Sequence, residues 1–134
     1  MSIAAIRAAL ETALNAMAPA VLTAWENNPF VPPASTVPYQ QVFVLFATPD
    51  NREAGVVYTE IGYMQVSLKY PLDVGSSAAM ARAIMLRNTF KKANSFSNSG
   101  VTVIIDKTPA IVNGTVDVDR WSLPVKIPFH ADIY

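Results

Sequence analysis

The residues with chemistry to offer are few. His130 is the single histidine, and Asp132 follows two positions on, so the two side chains would share one face of a strand. Two ligands make at best half a metal site, and no second histidine exists. His130 therefore reads as a surface or edge-strand histidine. A serine nucleophile needs a strained turn and a positioned base, whereas the serines here fall in helix caps and loops with no nucleophile-elbow pattern. Gly55, Gly62, Gly75, Gly100 and Gly114 sit at element junctions, not in a phosphate-cradling run. The absence of cysteine excludes disulfides, zinc–thiolate sites and thiol catalysis. Asp117 and Asp119 are spaced like paired carboxylates, but solvated acids or partners for nearby cations are the simpler reading. No catalytic, cofactor-binding or metal-binding residue is assigned, and the chain does not read as an enzyme.

What remains are contact residues. Arg82, Arg87, Lys91 and Lys92 make the helix expected after Gly75 the one basic element, with no acid between Gly75 and Asp106. Four cations on a chain of formal net charge +0 are a weak lure for nucleic acid, so a solvated face or a subunit contact is expected. Trp25, Phe30 and Tyr39 surround a proline-rich stretch; Trp25 reads as a staple to the core, while Phe30 is left open as an interface anchor. Asp50, Arg52 and Glu53 fall at the tip of an expected hairpin. The candidate interface is thus Phe30, Asp50, Arg52, Glu53, Arg82, Arg87, Lys91, Lys92, Asp117 and Asp119. In it, the cations of one subunit face Asp117 and Asp119 of the next, head to tail.

The elements that would position these residues can be read from periodicity. Ile3, Ile6, Leu10, Leu14 and Met17 form a helical stripe over residues 2–18, ended by Pro19. Residues 21–28 read as a short strand. Pro29, Pro32, Pro33 and Pro38 make the next segment stiff, either an ordered arm across the surface or a plain connecting loop. Tyr39 to Ala47 is apolar on both parities, as suits a central strand or one whose second face meets a helix or another subunit. Met64, Val66, Leu68 and Tyr70 alternate with Tyr63, Gln65, Ser67 and Lys69, and Pro71 ends that strand. Residues 39–71 would form a long antiparallel hairpin. A helix follows from about Ser76 to Asn94, with Ala79, Ala83, Leu86, Phe90 and Ala93 inward and Met80 and Ile84 widening the stripe. Ser95–Gly100 reads as a loop and 101–105 as a strand. Asn113-Gly114 signals a hairpin turn or, alternatively, a bulge. The last strand spans about 120–133. Pro124 and Pro128 share a parity, so one lateral side lacks two donors; this predicts an edge strand paired through its odd-numbered residues. The order predicts an α+β fold: a mostly antiparallel sheet with two main helices packed on it, in one domain over 1–134.

Composition agrees with a packed domain: among 134 residues, 51% are hydrophobic and 15% charged. Apolar runs are far shorter than the roughly 20 residues of a membrane helix, and the N-terminus lacks the pattern of a signal peptide. The expectation is a soluble intracellular protein without nucleic-acid or membrane partners.

Several segments taken together resemble a known family. They are Ile6-Arg7-Ala8-Ala9-Leu10, Ala24-Trp25-Glu26-Asn27-Asn28-Pro29-Phe30 with Pro32-Pro33, Gly62 to Pro71 with Gly75, the helix ending near Phe90, and Trp121 to Phe129. Their order and spacing resemble the tail terminator-like proteins of long-tailed bacteriophages and prophages. The resemblance implies a structural protein that forms a ring, typically of six subunits, at the head-proximal end of the tail tube. There it would stop tube polymerisation and offer the head-joining surface. The implied partners are further copies of itself, the tail tube protein and a head–tail connector protein. The implied location is the virion tail, with the host cytoplasm during assembly, and no cofactor is implied. A subunit monomeric or weakly associated when free is expected. Another neck or tube component, or a small-molecule-binding α+β domain, are the alternative readings.

Overall fold

The computed structural model describes residues 2–51 and 56–133, with the side chain of Ser2 left aside. Helix α1 spans Ser2–Asn15 and buries Ile6, Leu10 and Leu14, while Ile3 at its start is exposed. β1 (Leu22–Ala24) runs parallel to β2 (Tyr39–Phe46), and β2 pairs antiparallel with β3 (Tyr58–Pro71) from Tyr39↔Lys69 to Phe46↔Gly62. Helix α2 (Ser77–Thr89) follows, then β4 (Ser95–Asn98), β5 (Val101–Ile105), β6 (Ala110–Ile111), β7 (Thr115–Asp117) and β8 (Arg120–Ile133). The sheet order is β1-β2-β3-β8-β5-β4, with β6 and β7 also on β8. Both helices share one core cluster with Val42, Val44, Met64, Val66, Leu68, Val125, Ile127 and Phe129, so they cover the same face of the sheet. The fold is α+β and mostly antiparallel. Val103, Leu86 and Phe90 are also fully buried.

The structure departs from expectation at identifiable places. β8 is not an edge strand: it pairs with β3 along its whole length and with β5, β6 and β7 on its other side. The missing proline donors act differently. The Pro124 carbonyl accepts from the Val112 amide at 2.9 Å and the Pro128 carbonyl from Asp106 at 3.0 Å, so both prolines face the β5–β7 side. That ladder cannot be continuous, and it is cut into three short pieces around them. Residues 95–98 form β4, not a loop, because Ser99 (φ 51) and Gly100 (φ 80) build a two-residue turn into β5. Asn113-Gly114 makes no hairpin turn, and the alternative expected there, a bulge, is what forms. β6 and β7 lie along the same partner, and their registers on β8 differ by one residue, the mark of a bulge. Gly114 is required there because a Cβ would come within 2.3 Å of the Trp121 ring. The two-residue turn in this part of the chain is instead Val118-Asp119, joining β7 to β8.

Helix α2 is shorter than its apolar pattern. It stops at Thr89 so that Phe90 can drop into the core against Phe96, ring centroids 5.2 Å apart. The Asn94 side-chain amide donates to the Thr89 carbonyl, and Ala93 takes a left-handed conformation (φ 73). Lys91, Lys92 and Ala93 therefore lie beyond the helix and are exposed. Met80 and Ile84 are also exposed, so they lie off the buried stripe.

Candidate assembly surface

The face of the sheet away from the helices is built in cross-strand rows. Leu45, Tyr63 and Pro128 make one row; Phe43, Gln65, Lys126 and Ala110 the next; Tyr39, Lys69, Ser122 and Thr115 lie two rows further on. The two ends of this face differ. At the Tyr39 end the proline segment forms an ordered arm. Arg120, only 3% exposed, donates to the carbonyls of Val37, Pro33 (2.8 Å) and Ala34 (2.9 Å), and its guanidinium stacks 4.8 Å over the Tyr39 ring. Phe30 closes on the same ring, with centroids 5.2 Å apart. Beside it the buried Lys69 ammonium donates to Asp117 at 2.7 Å and to Ser122 at 3.0 Å. The hydrogen bond from Lys69 holds the Asp117 carboxyl below its ordinary range.

At the other end nothing among the described residues covers the sheet. Phe43 is 38% exposed and Leu45 44%, with Tyr63, Pro128 and Val112 partly or largely accessible around them. Lys126 lies 5.4 Å over the Tyr63 ring and meets no acid among the described residues. The apolar second parity of β2, legible in the sequence, thus remains uncovered among the described residues.

The outer edge of β2 is protected in part. β1 pairs only as far as Gln41. Beyond it the Glu26 carboxylate accepts from the Val44 amide at 2.6 Å and from Arg7 at 3.0 Å, standing where a neighbouring strand's carbonyl would be. Desolvation raises the pKa of this carboxyl, but the Val44 amide and Arg7 outweigh it and the net shift is downward. Trp25 packs against the core, as a staple does.

The hairpin β7–β8 projects from the Tyr39 end. Val116 is 64% exposed and Val118 90%, and Val118 has φ +55. A β-branched residue in that region costs roughly 1–2 kcal/mol, and glycine or asparagine would serve the turn better. Composition gave no turn signal here, so the sequence pointed to Asn113-Gly114 instead. Asp119 beside it is exposed and meets no cation among the described residues.

The ten candidate residues do not form one patch. Arg82 is 4% exposed, turned inward to donate to the Pro19 carbonyl at 2.7 Å; burial lowers its pKa, and the nearby Tyr70 opposes that shift. Arg87 donates to the Pro109 carbonyl at 3.1 Å. The expected basic face of α2 is therefore occupied within the subunit, and Asp117 already has Lys69. Lys91, Lys92 and Asp119 are exposed, Phe30 is stacked on Tyr39, and Asp50 bridges to Thr59 through both backbone bonds. Arg52 and Glu53 lie outside the described residues. His130 sits on interior β8 and pairs with Asp106, not with Asp132, which accepts from Thr59 at 2.6 Å. No group of three metal-ligating side chains occurs among the described residues, and no described helix is long and apolar enough to cross a membrane.

Comparison with known proteins bears on what this surface is for. No protein with a curated description matches the sequence. A solved structure bearing no functional name is 27% identical and aligns over 100% of this chain and 98% of its own, with a TM-score of 0.79. The family described as phage tail terminator protein matches residues 5–129. That span contains both helices' buried stripes, the arm, the uncovered sheet face and β8 as far as Phe129: the chain belongs to the phage tail terminator family, structural proteins of the bacteriophage tail.

Proposed function

We propose that the protein, acting as one domain, caps the head-proximal end of the tail tube as a ring of its own copies, stops tube polymerisation and offers the surface that joins the head. Family membership supplies the tail and, by implication, contacts with tube and head-joining components. The observation that carries the finer reading is the uncovered end of the sheet. Phe43, Leu45 and Tyr63 form a contiguous apolar area beside partly or fully exposed polar groups on a subunit whose core is otherwise closed, which is how an assembly surface looks before its partner arrives. Asp50, Arg52 and Glu53, which fall between β2 and β3 in the sequence, are proposed as further contacts, as are Phe30, Arg87, Lys91, Lys92 and Asp119 elsewhere on the subunit. Arg82 and Asp117 serve from within, fixing α2 and the β7–β8 hairpin.

The tail tube protein and a head–tail connector protein are the partners, in the virion tail and, during assembly, in the host cytoplasm. Exposed ion pairs contribute only about 0–1 kcal/mol each, so the free subunit is monomeric or weakly associated and the ring completes on the tube. The test is to add the purified protein to polymerising cognate tube protein. Growth should stop at protein-to-tube-subunit ratios far below one, with tubes shortening as more is added. Tubes of unchanged length at every ratio would overturn the reading, as would long filaments formed by this protein alone.

A further inference from the structure

We propose that the β7–β8 hairpin tip of one subunit docks on the uncovered sheet face of the next, with Val116 and Val118 against Phe43, Leu45 and Tyr63, and Asp119 against Lys126. The inference rests on the ring reading and names the contact that would build it. Two observations on opposite ends of the molecule match. The tip presents two exposed valines and an acid that meets no cation among the described residues. The face presents exposed apolar side chains around a cation that meets no acid among the described residues. Apolar area meets apolar area, and the one charge on each side finds its opposite.

The two patches cannot meet within one chain. Arg120, at the base of the turn, is six residues along β8 from Lys126, and at about 3.3 Å per residue that separates them by about 20 Å of straight strand. The contact must therefore be between copies. Because it joins two different surfaces, it is heterologous and propagates in one direction until it closes. Val118 supports this reading independently. It holds a left-handed conformation that does not suit valine and leaves the residue 90% exposed in its own subunit, so its side chain makes sense as something presented to a neighbour.

The chain has no native cysteine, which makes cross-linking clean. Val118→Cys and Phe43→Cys are made singly and together in the full-length protein, bound to cognate tail tubes and free at high concentration, then treated with a short bis-maleimide. The mixed single variants should give a dimer that neither gives alone, and the double variant a ladder that ends at the ring size. As a second measurement, Asp119→Lys or Lys126→Asp should each weaken assembly about two- to fivefold per contact, as for an exposed pair, and the two together should restore it. Dimers of Val118→Cys alone or Phe43→Cys alone would show a two-fold contact and overturn the proposal. Rings visible by negative stain but without mixed cross-links would overturn this contact while leaving the ring intact. Absence of rings from unmodified protein on tubes would overturn the ring reading itself and this contact with it.

Discussion

Replacing Arg120 by alanine should release the proline arm. The guanidinium serves three carbonyls, those of Pro33, Ala34 and Val37, and stacks on Tyr39. A hydrogen bond to a charged group contributes about 1.5–3 kcal/mol and an aromatic–cation contact about 0.5–1. The three bonds share one donor group and one arm, so they do not add in full, and a loss of about 3–4 kcal/mol is expected. Unfolding entropy near 2.1 cal/mol/K per residue gives about 0.28 kcal/mol/K for 134 residues, hence a melting temperature lower by about 10–15 °C. Thermal melting measures the global loss, and limited proteolysis between residues 31 and 37 reports the arm directly. Arg120→Lys, a point charge without the planar fork, should recover about half. If Arg120→Ala melts within 3 °C of the parent and the arm stays protease-resistant, the stacking of Phe30 on Tyr39 holds the arm and the reasoning from Arg120 is wrong.

Gly62→Ala should destabilise by about 2–3 kcal/mol, the range of core overpacking, because a Cβ would lie 2.2 Å from the Leu45 carbonyl oxygen and 3.1 Å from Phe129; denaturant melts check it, and a stabilised variant would mean β2 and β3 are not so close. Phe90→Ala should cost about 3–5 kcal/mol, as for a buried aromatic truncation, and a loss below about 1 kcal/mol would place Phe90 outside the core. Glu26 has a folded pKa below its ordinary 4.5, so its contribution is full above that value and is lost as pH falls through the lower folded one. Glu26→Gln should therefore flatten the acid limb of stability between those values, and an unchanged limb would show that Arg7 and the Val44 amide do not hold the charge.

Much of the fold could be read because periodicity reports burial directly. Leu10, Leu14, Val44, Val66, Leu68, Leu86, Phe90, Val103, Val125 and Ile127, each placed by pattern, are all in the core. The misses share a cause: local chemistry gives a segment's options, and tertiary packing chooses among them. Pro124 and Pro128 remove donors, which says that one ladder is interrupted but not that it is absent. Asn113-Gly114 permits a hairpin, yet the close approach of Trp121 requires the glycine for a bulge. The Ser99-Gly100 dipeptide was a usable turn signal, whereas Val118-Asp119 was not, because nothing in its composition announces φ > 0. At the candidate surface, the apolar second parity of β2 was legible and is uncovered among the described residues. The inward use of Arg82 and Arg87 was not, since a sequence shows charges but not the backbone carbonyls that will receive them.

Closure of the tail tube at its head-proximal end, the role proposed for this protein, can be imaged by electron cryomicroscopy of tails assembled with the unmodified protein. A ring of copies of this chain should be seated on the last layer of tube subunits at that end alone, with the face around Phe43 and Leu45 covered by a neighbouring subunit. Density for the protein along the tube, at the tip-proximal end, or as isolated single copies would contradict it.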